Sequence, residues 1–168
     1  INVAVLDSGG PIEIDLAYKR SIFDSDRGWD MEDNDPLPDD VEFEQGQFSH
    51  GTHVGSTISM LNDGIDANGF GARVTPIRVC YQSGCGPTYE AYLFINGDEN
   101  DSDTSWAERT AISKGLSVSE LDEKLYAMNM SYGGGGSANS NACQKLAEIS
   151  EIGILIASSS GNGGINSM

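Results

Sequence analysis

Four short aliphatic runs constrain this chain more than anything else in it. They are residues 2–6 (NVAVL), 73–79 (RVTPIRV), 125–130 (LYAMNM) and 154–157 (ILIA). A strand with one wet face alternates apolar and polar residues. These runs do not, which is the pattern of strands covered on both faces. Helical spacing lies between them. Residues 52–62 place Val54, Ile58 and Leu61 on one face, and residues 139–149 place Ala142, Leu146 and Ile149 likewise. Two further helices are predicted over 104–114 and 117–124, the second opened by a Ser117-x-x-Glu120 capping box. Strands alternating with helices predict an α/β domain, a mainly parallel sheet flanked by helices. No internal repeat is visible. Residues 23–47 and 96–103 are acidic and read as solvated loops. Neither has the spacing of a calcium-binding EF-hand.

Charge narrows the partners. With 26 Asp and Glu against 9 Lys and Arg, the 168 residues carry a formal net charge of −17. Phosphate would be repelled, so nucleic acid is an improbable ligand, and so is an anionic membrane surface. No apolar run reaches the ~18–20 residues of a membrane span. No leader pattern opens the chain, which starts at Ile1 inside a strand-like run, so a processed or excised piece is expected. Of three cysteines, Cys80 and Cys85 bracket a turn short enough to bridge. Either they form a local disulfide, which would fit an extracytoplasmic compartment, or all three are thiols.

The only two histidines sit together in His50-Gly-Thr-His53, so any chemistry that needs an imidazole uses one of them. Zinc is a poor fit, because there is no accompanying glutamate and no third histidine. Asp7 ends the first strand and is followed by Ser8-Gly9-Gly10. The carboxyl edge of an open α/β sheet is where sites are built. A carboxylate there could accept from a histidine Nδ1–H and hold its tautomer, or could simply serve as a turn residue. Asn162, beyond the last strand in Ser160-Gly-Asn162, could donate to a developing oxyanion, or could be part of a Gly/Asn turn. Asn129-Met-Ser-Tyr-Gly133 is a glycine-ended strand that another extended backbone could approach.

In order and in detail these residues resemble one family, the subtilisin-like serine proteases. Val3-Ala-Val-Leu-Asp7-Ser-Gly9 is similar to its Asp motif, and His50-Gly-Thr-His-Val-Gly55 to its His motif, without the usual Ala before the second Gly. Asn129-Met-Ser-Tyr-Gly-Gly134 resembles its substrate-binding strand, and Ser160-Gly-Asn162 its oxyanion motif with Ser for the common Ala. Residues 29–36 resemble the segment that often precedes its His motif. The likeness is weakest between residues 92 and 124.

The resemblance implies a subtilisin-like fold and an Asp-His-Ser serine endopeptidase. Asp7 would orient the base, His50 would act as base and then acid, and Asn162 would stabilise the oxyanion. His53 would be structural. Ser131, Tyr132 and Gly133 would line the substrate strand, with Gly84 and Gly86 as its opposite wall. Ser158, Ser159, Ser160 and Gly161 would border the pocket before the scissile bond. Structural calcium is also implied, held by side-chain oxygens of Asp15 and Asp63 and by carbonyls of Leu61, Ile65 and Ala67. Peptides or proteins would be the substrates, a propeptide is a candidate partner, and the setting would be secreted or otherwise extracytoplasmic.

The family's nucleophile sits in a Gly-Thr-Ser-Met-Ala motif well beyond the oxyanion Asn. Ser167, in Asn166-Ser-Met168, is only five positions past Asn162 and is rejected for that role. Residues 1–168 are therefore expected to be an apparently truncated, partial catalytic domain that is inactive alone. Two other readings are weaker. A non-catalytic subtilase-like peptide-binding domain would keep the groove without a nucleophile. A calcium-binding surface protein would explain the acidity but not His50-Gly-Thr-His53.

Overall fold

The computed structural model describes residues 1–11, 23–40, 50–59, 72–81, 84–98, 104–133 and 140–161. Within these, strand β1 (Asn2–Asp7) is the centre of the molecule. Its side chains still alternate in space. Val3 and Val5 pack with Phe23 and Val74 on one side, and Ala4 and Leu6 join the larger core on the other. All six residues are buried because both sides are covered, which is why the sequence shows an unbroken apolar run. Fully burying a side chain such as Val5 or Leu6 is worth about 1.5–3 kcal/mol.

The sheet has five parallel strands. In chain order they are β1, β2 (Trp29–Asp30), β3 (Arg73–Arg78), β6 (Leu125–Met130) and β7 (Leu155–Ser158); in space the order is β2-β3-β1-β6-β7. A separate hairpin, β4 (Cys80–Tyr81) and β5 (Gly84–Cys85), is closed by a Cys80–Cys85 disulfide. Cys143 is exposed and takes no part in a disulfide. Helix α1 (His50–Ser59) covers one face of the sheet through Val54 and Ile58. The other face takes α2 (Thr88–Asn96), α3 (Trp106–Lys114) and α4 (Asn141–Glu151).

Pro76 lies inside β3, where a proline would normally break the ladder. The carbonyl of Val74 accepts from Asp24 N–H on the side away from β1, so Pro76, two residues on, presents its missing N–H to that same side. There the pairing is interrupted by the short helical turn Ser25–Arg27, and nothing is lost.

The expected α/β class stands. Three of the four predicted helices form, with ends shifted by a few residues; the end of the first, past Ser59, lies outside the described residues. The fourth is corrected. Residues 117–124 form only a single turn, Val118–Glu120, in which Ser117 N–H does donate to the Glu120 carboxylate at 2.9 Å. Val118 is exposed and only Leu121 packs against the core, too little apolar surface to hold the segment as a longer helix. Besides the hairpin strands β4 and β5 and the turn Ser25–Arg27, the sequence reading missed helix α2 and strand β2. Helix α2 buries Ala91, Tyr92, Phe94 and Ile95, a nearly continuous aromatic and aliphatic run with no one-sided stripe. Strand β2, inside the supposed loop 23–47, is too short to show a period.

Candidate active site

The direction in which the chain leaves the sheet prepares a crevice. From β1 it runs to the edge strand β2 and returns through α1 to β3 on one side; from β6 it crosses through α4 to β7 on the other. The two helices lie on opposite faces. The connections therefore diverge between β1 and β6, and the carboxyl ends of two such strands frame an open cleft. Asp7 ends β1, and Ser131, Tyr132 and Gly133 follow β6.

Asp7 is 2% exposed. Its Oδ1 lies 2.7 Å from Nδ1 of His50, the first residue of α1, whose side chain is 53% exposed. The same oxygen accepts from Ser8 N–H at 2.8 Å. Asp7 Oδ2 is buried with no hydrogen-bond partner among the described residues. A carboxylate on Nδ1 holds the imidazole proton there, which makes Nε2 the ring atom that can accept a proton. One buried anion and one half-exposed imidazole in direct contact are the parts of a general base.

Gly51 makes the approach possible. A Cβ on it would stand 2.4 Å from the carbonyl oxygen of Gly9, so any larger residue would push His50 away from Asp7. His53 lies one turn further along α1 and is exposed.

The structure also brings together the two predicted substrate-binding segments. Ser159 N–H donates to the carbonyl of Met130 at 3.0 Å, and the Ser159 hydroxyl to that of Tyr132 at 2.8 Å. The Ser131 hydroxyl donates to Asn129 Oδ1 at 2.9 Å. The Tyr132 side chain packs on the core, and burial beside Tyr92 pushes its phenol well above the usual range. Ser158, Ser159, Ser160 and Gly161 are exposed. Gly84 and Gly86 belong to the disulfide-closed hairpin and the residue after it, where Gly86 N–H donates to the carbonyl of Val79. Asn162, Ser167 and all five calcium positions, Asp15, Leu61, Asp63, Ile65 and Ala67, lie outside the described residues. Among the described residues no group of three or more His, Cys, Asp or Glu could hold a metal.

Two polar groups beside the pair were not singled out from the sequence. Asp40 is fully buried, and its Oδ2 accepts from the Ser8 hydroxyl (3.2 Å), Thr52 N–H (3.2 Å) and the Thr52 hydroxyl (3.1 Å). The Ser8 hydroxyl accepts from Gly51 N–H at 2.9 Å. The available signal was that first-turn N–H groups of a helix need outside acceptors. On the outer side of β3, buried Arg78 pairs with Asp30 at 2.5 Å, Asp33 at 3.1 Å and Glu32 at 3.2 Å. Burial pulls its guanidinium pKa down, and these three carboxylates more than reverse it.

No helix among the described residues is long and apolar enough to cross a membrane. A curated relative is the "Extracellular basic protease" of Dichelobacter nodosus, 28% identical over 153 residues. The match takes in 81% of this chain but only 23% of that protein's length. The profile of the Subtilase family matches residues 1–168. The α/β architecture, the Asp7–His50 pair at its switch point and the full-length profile match agree: the chain belongs to the subtilase family.

Proposed function

We propose that this chain carries the base, its orienting carboxylate and the oxyanion donor of a secreted serine endopeptidase. The Asp7–His50 contact at 2.7 Å is the observation that carries the reading. Asp7 holds the His50 tautomer and stabilises the imidazolium. His50 takes the proton of a serine hydroxyl as that oxygen attacks the peptide carbonyl, then returns it to the leaving amine. Asn162 donates to the oxyanion. The serine comes from a Gly-Thr-Ser-Met-like segment and not from Ser167.

The peptide lies along Ser131, Tyr132 and Gly133. Among the described residues a Cβ would meet nothing within 4 Å at Gly133 or at Gly84, which supports an open edge for an extended substrate. Ser158, Ser159, Ser160 and Gly161 border a small, polar pocket without a fixed charge, so no strict basic-residue preference is proposed. Asp15 and Asp63 with the carbonyls of Leu61, Ile65 and Ala67 form a hard-oxygen donor set suited to structural calcium. The Cys80–Cys85 disulfide and the extracellular relative support a secreted setting, and a propeptide remains the candidate folding partner.

A fluorophosphonate probe, which labels only an activated serine, tests this on the complete natural polypeptide. Labelling that His50→Ala abolishes is the expected result, at a serine other than Ser167. Absence of labelling together with retained peptide binding would replace the reading with a non-catalytic binding domain. Labelling at Ser167 would overturn the assignment of the nucleophile.

A further inference from the structure

The His50 ring is half exposed, and its Nδ1 sits at hydrogen-bonding distance from Asp7. Its place depends on how the start of α1 is fastened to the end of β1. The fastening is a closed circuit. Asp7 Oδ1 contacts His50 Nδ1; the next residue, Gly51, donates its N–H to the Ser8 hydroxyl oxygen; and Ser8 donates its own N–H back to the same Asp7 oxygen. A serine hydroxyl has one proton and two lone pairs. Giving that proton to Asp40 turns the lone pairs toward Gly51. Asp40 also takes both donors of Thr52, so it binds the strand end and the helix start at once. Its own N–H donates to the carbonyl of Gly10 at 2.8 Å, and Gly10 N–H to that of Pro38 at 2.8 Å, which ties Asp40 to the residues after β1.

We propose that Asp40, acting through Ser8, is a positioning residue that sets the His50 imidazole against Asp7. The inference rests on the triad reading above. A plain helix cap would stabilise α1 without affecting turnover. A positioning residue must affect the imidazole itself, because displacement of a reacting group by about 1 Å can cost on the order of 100-fold in rate.

The experiment compares Asp40→Ala, Asp40→Asn and Ser8→Ala with the natural sequence, with Asp7→Asn as reference, all in the complete natural polypeptide. Peptide hydrolysis gives kcat and KM, and proton NMR follows the downfield His50 Nδ1–H resonance. Asp40→Ala and Ser8→Ala are expected to lower kcat by about 10–100-fold with KM nearly unchanged, and to broaden or shift that resonance. Asp40→Asn, which keeps an acceptor oxygen, is expected to restore most of both. If Asp40→Ala does not fold, Ser8→Ala decides. A large loss in Asp7→Asn with unchanged kcat and resonance in Ser8→Ala would overturn this inference alone. Unchanged kcat in Asp7→Asn of an active enzyme would overturn the triad reading and this inference with it. If the protein has no turnover, the resonance decides: an unaltered Nδ1–H signal in Ser8→Ala overturns the inference.

Discussion

Asp7 and Asp30 end the two strands that flank β3, and both stand opposite Arg78 in register. Both are almost completely buried, at 2% and 1% exposure. Their counter-charges differ. Asp30 meets a guanidinium that is itself buried and permanently charged, and Arg78 is further held by Glu32 and Asp33. Burial pushes the Asp30 carboxyl up against the pull of that cation and of backbone N–H groups. Asp7 meets an imidazole whose side chain is half in solvent, and an imidazole ring can both accept and donate a proton. A carboxylate locked to arginine can only hold structure. One set against histidine can support proton transfer, so the partner, not the aspartate, separates the framework from the chemistry.

The sharpest way to break this contrast is to remove the negative charge at each position. Asp7→Asn should leave the fold intact and lower kcat by about 10⁴, a size taken from serine proteases generally and checked by steady-state kinetics on a peptide substrate. Near-full activity would remove Asp7 from the machinery. Asn162→Ala tests the proposed oxyanion donor and should lower kcat by about 10²–10³ with little change in KM. A change confined to KM would make Asn162 a binding residue. Asp30→Asn should show the opposite profile. A thermal or denaturant melt should record a loss of about 3 kcal/mol, while turnover per folded molecule stays the same. Lost turnover without lost stability would erase the distinction drawn here.

A metal ion would be a third kind of counter-charge. If Asp15 and Asp63 hold calcium, a saturating excess of about 100 times Kd should add about 2.7 kcal/mol to stability. Asp15→Ala combined with Asp63→Ala should cancel the rise in melting temperature, and an undiminished rise would assign the calcium effect to other acidic residues. The smallest effect is expected at Glu123, where the amino ends of the strands are tied by Arg27 and Lys114. Burial raises the Glu123 carboxyl, but hydrogen bonds from Lys114 and Arg27 outweigh it and hold the group below its usual range. The folded-state pKa is therefore depressed. Its contribution is present above the unfolded value and fades as pH falls through the folded one, below about 4.3. Glu123→Gln should lower stability by about 1 kcal/mol at neutral pH and flatten the acid limb of the melting curve. An unchanged acid limb would make this pair irrelevant to acid stability.

Much of the sheet was legible because burial on both faces leaves a plain mark in composition. The segment 125–130 is matched residue for residue by β6. Helix α2 was not legible for the complementary reason, since an element buried nearly all round loses the one-sided stripe. The Asp7–His50 pair was legible because chemistry restricts residue type: with two histidines in the chain, any imidazole partner for Asp7 could only be one of them. The bond between Cys80 and Cys85 was possible from their spacing but was settled by the hairpin that places them opposite each other.

By itself the sequence determined the α/β class, the strand that ends in Asp7 and the helix that follows His50, because periodicity and residue chemistry are local properties. Which buried aspartate would face an imidazole and which a guanidinium was decided only by the tertiary structure. Asp7 and His50 are 43 positions apart, and Asp30 and Arg78 are 48 apart. Only the strand order β2-β3-β1, with α1 laid over one face, sets each carboxylate within 3 Å of its own cation or base. Asp40 shows the same dependence. It reads as one more acid in a charged loop until folding removes it from water, and there a buried carboxylate persists only where donors such as Ser8 and Thr52 converge on it.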